Sequence, residues 1–307
     1  MVFQQTIQRP VTCTGVGLHS GCRVSLTMLP ASPDTGIVFI RKDLGTGLRI
    51  SASIKNIRPA LLSTVVGIGG VHVQTVEHVL AAAAGLLVDN LYIEVDAPEL
   101  PALDGSAAPF VSMILGAGIA QQGRQRPYLK IVRSIEVSDG DKYIAIRPAT
   151  LSSVTCTIDY DHPLIQRQDY TYPWSQEVFV RDIAPARTFG FLREVEALWA
   201  AGLGLGGSLQ NTLILSEDRL LNEGGLRFRD EFVRHKVLDL IGDMALLGLP
   251  FIGEIVAVRS GHALHARLAA QILESRESWM LVSAEPHMPA GRMRELPPSL
   301  VASPQRD

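Results

Sequence analysis

The order of the predicted secondary-structure elements constrains the fold of this 307-residue chain more than any other feature. In the first half, apolar residues that alternate with polar ones predict strands over residues 23–28, 37–41 and 91–95. Two helices are predicted in the same half, over residues 75–84 and 106–117. Their candidate N-caps are Thr75 and Ser106, and Pro109 falls in the first turn of the second helix.

The second half of the sequence repeats this order. Strands are predicted first, over residues 128–132, 142–147 and 151–160. Helices are predicted afterwards, over residues 175–183, 192–201, 230–248 and 263–275. One more strand is predicted between the last two helices, at 251–259.

Strands followed by helices, twice over, predict an α+β protein made of two similar sandwich domains rather than a doubly wound parallel sheet. The length also suggests two domains, at roughly 150 residues each. We place the N-terminal domain at residues 1–120, a polar and turn-rich linker at 121–127, and the C-terminal domain at 128–307. No repeat is visible at the level of residues, so the predicted duplication is architectural.

The composition is unusually apolar, with a mean hydropathy of +0.19 and 19% charged residues. Soluble domains usually carry about 25% charged residues. A membrane span would explain the difference, and so would a large core with an apolar ligand. The best apolar run, residues 79–88, is interrupted by Gly85 and is about half the roughly 20 residues that a spanning helix needs. The sequence therefore predicts no span.

Charge and cysteine content exclude further classes of protein. A formal net charge of -3 argues against a nucleic-acid partner held through its phosphates. Residues 1–9 lack the basic and apolar regions of a secretion signal. The three cysteines, Cys13, Cys22 and Cys156, form no CxxC pair. We expect reduced thiols in a cytoplasmic protein and no thiolate zinc site.

The segment 230–243 predicts a helix with chemistry on one face. Glu231, His235, Asp239 and Asp243 recur every four residues and therefore share a face. His235 and Asp239, one turn apart, could both reach one metal ion, and an imidazole with a carboxylate suits zinc. A solvated face with an incidental histidine is the commoner explanation of such a spacing taken alone.

Glu77 and His78 add to this pattern. His78 could supply a third ligand and so complete a catalytic zinc site, with Glu77 beside it as general base. Taken alone, the pair is weak, because a carboxylate at a helix start is favoured by the helix dipole.

His262 follows the strand predicted at 251–259 and lies in a glycine turn. It could face the metal as a proton donor, held charged by a carboxylate such as Asp243, or it could cap the next helix. Two other patterns carry no chemistry in our interpretation. The GxGxxG match at 202–207 follows a predicted helix instead of a strand, and the acidic stretch 96–106 is explained by turns and caps.

Taken together, these segments resemble the UDP-3-O-(3-hydroxyacyl)-N-acetylglucosamine deacetylase family, the zinc amidases at the committed step of lipid A synthesis. The matching segments run in family order along nearly the whole chain, at residues 15–21 (GVGLHSG), 75–78 (TVEH), 103–107 (LDGSA), 186–191 (ARTFGF), 221–228 (LNEGGLRF), 231–243 (EFVRHKVLDLIGD) and 260–264 (SGHAL). The family fold is two α/β sandwiches whose helices face each other with the zinc between them.

The resemblance implies a role for each residue of the site. The zinc ligands would be His78, His235 and Asp239. The residues that act on the substrate's amide would be Glu77 as the base and Thr188 as the donor to the oxyanion. His262, with Asp243 behind it, would be the acid or would steady the oxyanion, and Glu77 acting a second time is the alternative acid.

The resemblance also implies the contacts with substrate. Lys236 and Lys142 would meet the phosphate or sugar region, Phe189 the hexosamine, and Tyr160 the uracil. Leu62 would lie at the edge of the site, next to Ser63, which stands where several relatives have cysteine. An insert at about 191–215 would form a passage for the acyl chain.

The implied reaction is zinc-dependent hydrolysis of the N-acetyl group of UDP-3-O-(3-hydroxyacyl)-N-acetylglucosamine, which gives the free amine and acetate. We expect a cytoplasmic monomer that works close to the inner membrane without a span. Two alternatives stay open: a zinc amidohydrolase of another acetylated amino sugar, and a metal-free protein that binds sugar nucleotides.

Overall fold

The computed structural model describes residues 2–283, and its fold is α+β, as the sequence predicts. Residues 284–307 of the predicted C-terminal domain lie outside the described residues. Residues 2–127 contain helices α1 (Glu77–Gly85) and α2 (Ala108–Ala117). The strands of this half are β1 (Phe3–Ile7), β2 (Val11–Val16), β3 (Arg23–Pro30), β4 (Ile37–Arg41), β5 (Arg49–Ser51), β6 (Ile57–Arg58), β7 (Val65–Ile68), β8 (Val71–Gln74), β9 (Leu91–Val95) and β10 (Ile119–Gln125).

The second half is built in the same way. Its helices are α3 (Gln176–Val178), which continues as a π turn over Phe179–Ile183, then α4 (Val195–Ala200), α5 (Glu231–Met244) and α6 (His262–Glu274). Its strands are β11 (Tyr128–Ile131), β12 (Ile135–Asp139), β13 (Lys142–Arg147), β14 (Ser153–Tyr160), β15 (Gln166–Pro173), β16 (Phe189–Phe191), β17 (Leu213–Leu215), β18 (Phe251–Ile252), β19 (Glu254–Val258) and β20 (Trp279–Val282). Short 3-10 turns occupy Lys42–Leu44, Ile54–Asn56, Leu192–Glu194, Ala245–Leu247 and Arg276–Ser278.

The two halves share one sheet topology. The strand order is β2-β3-β9-β4-β5 in the first half and β12-β13-β19-β14-β15 in the second. In each sheet the third and fourth strands of this order are parallel, and the other neighbours are antiparallel. The chain passes through α1 between β4 and β9, and through α5 between β14 and β19. The predicted similarity of the two halves is therefore present in their topology.

The helices of the two halves pack against each other, with α1 on α5. Val233, Val237 and Leu240 of α5 are fully buried, as its apolar periodicity predicts. The two helices approach closely at Gly242, where a β-carbon would lie 2.0 Å from the carbonyl oxygen of Glu77. This approach sets the first turn of α1 beside the last two turns of α5.

Residues 119–125 form a strand, although the sequence predicts a linker over 121–127. This strand, β10, pairs antiparallel with β1, and Ile7 lies opposite Ile119. The polar residues of β10 are compatible with a strand because β1 and β10 form a two-stranded sheet with exposed positions. Gln122 also forms hydrogen bonds with Ala31 and Asn90.

The predicted N-caps are each displaced from the observed helix start. The position before α1 is held by Val76, and Thr75 adopts a left-handed φ of 59° with its hydroxyl bonded to Glu99. The position before α2 is held by Ala107. Ser106, one residue earlier, still accepts the N–H of Ala108 at 3.2 Å.

The insert predicted at about 191–215 contains α4 and a glycine loop. Gly202 and Gly204 adopt left-handed φ angles of 73° and 68° after the helix ends, so the GxGxxG match is a loop, as predicted. Trp199 and Leu205 are both more than half exposed. Within residues 2–283, no helix is both long and apolar enough to cross a membrane.

Candidate active site between the two halves

Three buried side chains converge where α1 meets α5. His78 comes from α1, and His235 and Asp239 come from α5. Asp239 Oδ1 lies 3.6 Å from His78 Nε2 and 3.3 Å from His235 Nε2. The structure therefore brings together the three residues predicted as metal ligands, and they form a group that could hold a metal ion.

The atoms that do not face this cluster have other partners. His235 Nδ1 lies 3.0 Å from the carbonyl oxygen of Ala186, so it donates its proton there and leaves Nε2 free as a ligand. Asp239 Oδ2 accepts a hydrogen bond from Lys236 Nζ at 2.8 Å. His235 Nε2 and Asp239 Oδ1 are thus left to face the cluster, the arrangement that neighbouring hydrogen bonds impose on metal ligands.

Burial and charge set the protonation of these ligands. Burial lowers the pKa of His235 to about 3, so its imidazole is neutral. Burial alone would raise the pKa of Asp239, but His235 and Lys236 beside it bring the pKa well below its usual range. A neutral imidazole and an ionised carboxylate are the forms that bind metals.

Glu77 lies in the first turn of α1, next to His78, and is buried. Its Oε2 accepts the backbone N–H of Thr64 at 3.0 Å. Burial raises the pKa of Glu77, against the opposing effect of His262 and His78. A carboxylate with a raised pKa beside a ligand cluster is suited to accept a proton and return it.

His262 and Asp243 form an ion pair near Glu77. His262 Nδ1 lies 2.7 Å from Asp243 Oδ2, and Thr64 Oγ1 donates to the other carboxylate oxygen. Burial alone would lower the pKa of His262, but the charge and hydrogen bond of Asp243 raise it to about 9. The His262 imidazole therefore carries protons on both nitrogens at neutral pH and can donate one of them.

Thr188 and Phe189 form a wall next to the cluster. The N–H of Thr188 donates to the carbonyl oxygen of Gly105 at 2.8 Å, which joins this wall to the first half. The Phe189 ring contacts the His235 and Tyr160 rings, with centroids 6.4 and 5.7 Å away. Thr188 is two residues from Ala186, the partner of His235, and its side chain is half-buried.

The other predicted substrate residues lie farther from the cluster. Tyr160 ends β14 and lines an open pocket together with His162 and Arg259. Lys142 is exposed at the start of β13. The next residue, Tyr143, pairs with Val258 at the end of β19, and Arg259 follows Val258. Leu62 is exposed, with a left-handed φ of 65°, two residues before Thr64.

The structure adds residues that the sequence did not single out. Thr64 contacts both Glu77 and the His262–Asp243 pair. His19 is buried, and neither of its ring nitrogens has a hydrogen-bond partner in the described part of the chain. His19 belongs to residues 15–21, one of the segments that resemble the family. This resemblance is the only feature of the sequence that we used which could have pointed to His19 as a site residue.

Comparison with known proteins agrees with this geometry. The sequence model of a family described as UDP-3-O-acyl N-acetylglycosamine deacetylase matches residues 4–274. A UDP-3-O-acyl-N-acetylglucosamine deacetylase of Syntrophus aciditrophicus (strain SB) is 44% identical over 283 residues, which cover 92% of this chain and 90% of the relative. Proteins of the same name from Shewanella sp. (strain ANA-3) and Histophilus somni (strain 129Pt) are 46% and 44% identical, over 93% of this chain and 94% of each relative.

A buried carboxylate, a histidine–aspartate pair and a group that could hold a metal ion meet between the halves of this α+β fold, and this arrangement suits a hydrolase. The sequence matches, which cover nearly the whole chain, identify the family of hydrolases. The chain belongs to the UDP-3-O-acyl N-acetylglycosamine deacetylase family.

Proposed function

We propose that this protein hydrolyses the N-acetyl group of UDP-3-O-(3-hydroxyacyl)-N-acetylglucosamine to give UDP-3-O-(3-hydroxyacyl)-glucosamine and acetate, the committed step of lipid A synthesis. The substrate class follows from the family and from the names of the relatives. The observation that carries the proposal is the convergence of His78 from one half with His235 and Asp239 from the other, beside Glu77 and His262. This convergence also supports the division of the chain into two domains, predicted at residues 1–120 and 128–307, with the site between them; strand β10, which pairs with β1, belongs to the first domain.

Zinc is the metal that we propose for this donor set, which suits iron as well. Zinc bound to nitrogen and oxygen at about 2.0–2.1 Å in tetrahedral geometry separates neighbouring ligand atoms by about 3.3 Å. The separations of 3.3 and 3.6 Å from Asp239 Oδ1 to His235 and His78 agree with that value. When bound, zinc supplies a Lewis acid that lowers the pKa of water and polarises the acetamide carbonyl.

Glu77 is the general base of the proposed reaction. It accepts a proton from the attacking water as the water's oxygen adds to the acetamide carbonyl carbon. The Thr64 N–H on Oε2 holds the carboxylate in one orientation. The close approach of Gly242 to Glu77 fixes the backbone under it.

His262 is the proposed proton donor to the leaving amine. Its Nδ1 is bonded to Asp243, so Nε2 is the atom left to deliver a proton as the C–N bond breaks. The hydroxyl of Thr188 donates to the oxygen on which negative charge develops, and such donors act where charge forms in the transition state. Free amine and acetate are the products.

Aromatic rings and lysine side chains make the proposed contacts with the sugar, the uracil and the phosphates of the substrate. Phe189 packs on the hexosamine, and Tyr160 lies next along the same wall, where the uracil stacks. Lys236 meets the phosphate or sugar region from α5, with Nζ 5.7 Å from the centre of the Phe189 ring. Lys142 meets the same region from the start of β13, and Leu62 borders the opening.

The acyl chain lies along the insert at about 191–215 in this proposal. Leu192, Trp199 and Leu205 are exposed apolar side chains of the insert that an acyl chain would cover. Leu205 packs near Gly21 and donates its N–H to the carbonyl oxygen of His19, so the insert reaches the first half. We further propose that the protein is a cytoplasmic monomer that works at the periphery of the inner membrane.

The test is acetate release from the UDP-sugar with its acyl chain and from the same sugar without it, each with and without a chelator. We expect rapid release only with the acyl chain, loss of release with chelator, and recovery when zinc is returned. Equal turnover of both substrates would instead favour an amidohydrolase of another acetylated amino sugar. Binding of the UDP-sugar with no acetate release and no bound zinc would favour a binding protein.

A further inference from the structure

A second histidine lies behind the His262–Asp243 pair and has no part in the reaction described so far. His265 is one turn after His262 on α6 and is 2% exposed. Its Nδ1 lies 2.7 Å from Asp243 Oδ2, the same oxygen that His262 Nδ1 approaches at 2.7 Å. Its Nε2 lies 2.9 Å from Ser260 Oγ. The side chain is therefore fixed at both nitrogens.

The neighbours of His265 determine its tautomer. Asp243 is ionised, because His262 and His265 bring its pKa down to about 2 although burial opposes this. An ionised carboxylate only accepts hydrogen bonds, so His265 must donate through Nδ1. Nε2 then has a lone pair, which accepts the Ser260 hydroxyl proton. Burial lowers the pKa of His265, although Asp243 and the more distant Asp239 act against it, so the imidazole is neutral.

These contacts hold the Asp243 carboxylate from three sides. His262 and His265 donate to Oδ2, and Thr64 Oγ1 donates to Oδ1. Two of the three donors belong to α6, and Asp243 itself belongs to α5. Because a buried carboxylate with three donors has no second rotamer of similar energy, its direction toward His262 is fixed.

We infer that His265 is a positioning residue for the proton donor: as a neutral Nδ1–H tautomer, set by Ser260, it orients Asp243 so that Asp243 holds protonated His262 in place. His265 is not placed in contact with substrate and acts only through Asp243. The inference rests on the proposed role of His262 as the acid. It concerns the alignment of that acid, and it predicts a tautomer that can be measured without turnover.

The first test is nitrogen-15 NMR of histidine-labelled protein at neutral pH, with no substrate present. We expect His265 to be neutral with its proton on Nδ1, and His262 to carry protons on both nitrogens. A His265 proton on Nε2 alone would overturn the inference, because Nδ1 could not then donate to Asp243. A doubly protonated His265 would overturn it as well. Failure of the proposed deacetylation would leave this result unaffected, so the two failures are distinguishable.

The second test compares His265→Leu with His265→Asn. Leucine removes the donor to Asp243, whereas asparagine has an N–H near the position of Nδ1. A hydrogen bond to a charged group is worth roughly 1.5–3 kcal/mol, which corresponds to about a 10- to 160-fold loss of kcat in His265→Leu with KM little changed. We expect His265→Asn to recover most of that loss. Equal loss in both variants would contradict the inference.

The pH–rate profile separates positioning from simple core filling. With Asp243 less well aligned, the basic limb of the His265→Leu profile should move to lower pH, because a carboxylate that can turn away holds the His262 proton less tightly. An unchanged limb, with a rate that falls only in proportion to the folded fraction, would mean that His265 merely fills space. A limb that moves to higher pH would mean that His265 competes with His262 for the carboxylate. Either result would overturn the inference.

Discussion

Replacing Asp243 by Asn should convert the proton donor of the site into an ordinary buried histidine. Asp243 is the main reason that the pKa of His262 is raised from 6.5 to about 9, since burial alone would lower it. Asparagine keeps the size of the side chain and removes its charge. We therefore expect the pKa of His262 in Asp243→Asn to fall to about 6.5 or below.

The size of the effect follows from the protonated fraction of His262. With a pKa of about 9, nearly all of the imidazole carries a proton at pH 7.5. With a pKa near 6.5, only about a tenth of it does, so kcat should fall roughly tenfold at pH 7.5 from this cause alone. The deficit should shrink as the pH falls toward 6, because protonation of His262 is restored there.

The assay is acetate release measured between pH 5.5 and 10 for wild type, Asp243→Asn and the control Asp218→Asn. Asp218 is an exposed turn residue, so its variant should follow the wild-type profile. We expect the basic limb of Asp243→Asn to move down by about 2.5 pH units. A basic limb that stays at wild-type pH would refute the assignment of His262, held by Asp243, as the group that must be protonated.

Three further substitutions test the neighbouring parts of the site. Glu77→Gln should lose acetate release by several orders of magnitude while metal analysis still finds wild-type zinc; a wild-type rate would exclude Glu77 as the base. Thr188→Val should lower kcat about 100-fold with little change in KM, and a rise in KM alone would assign Thr188 to substrate binding instead. Gly242→Ala should lower the free energy of unfolding in urea titrations by about 1–3 kcal/mol, because its β-carbon would meet the Glu77 carbonyl 2.0 Å away; unchanged stability would contradict the close packing of α1 on α5.

The parts of the site that lie within one helix could be predicted from the sequence. His235, Asp239 and Asp243 share a face because their spacing matches the helical repeat, and α5 extends over the segment that this repeat predicts. The α+β class followed in the same way from the order of strand and helix patterns. Local periodicity carries this information directly.

Contacts between distant segments could not be predicted in that way. Thr64 and Asp243 are 179 residues apart in sequence, and nothing in either segment indicates their hydrogen bond. The left-handed backbone of Thr75 also has no local signal, since a β-branched residue disfavours that conformation, and its hydroxyl bonds to Glu99, which is 24 residues away. Strand β10 was missed for a related reason: its pairing with β1 joins opposite ends of the first half, and its own residues are polar.

The central claim is that one zinc ion is held jointly by both halves of the chain. Metal analysis of freshly purified wild type and of Asp239→Asn tests it most directly, with Asp218→Asn as the control. The account predicts about one zinc per chain in wild type and control, and loss of most of it in Asp239→Asn, because the amide cannot replace the ionised carboxylate that lies between His78 and His235. One zinc per chain retained in Asp239→Asn, or none in wild type, would contradict it.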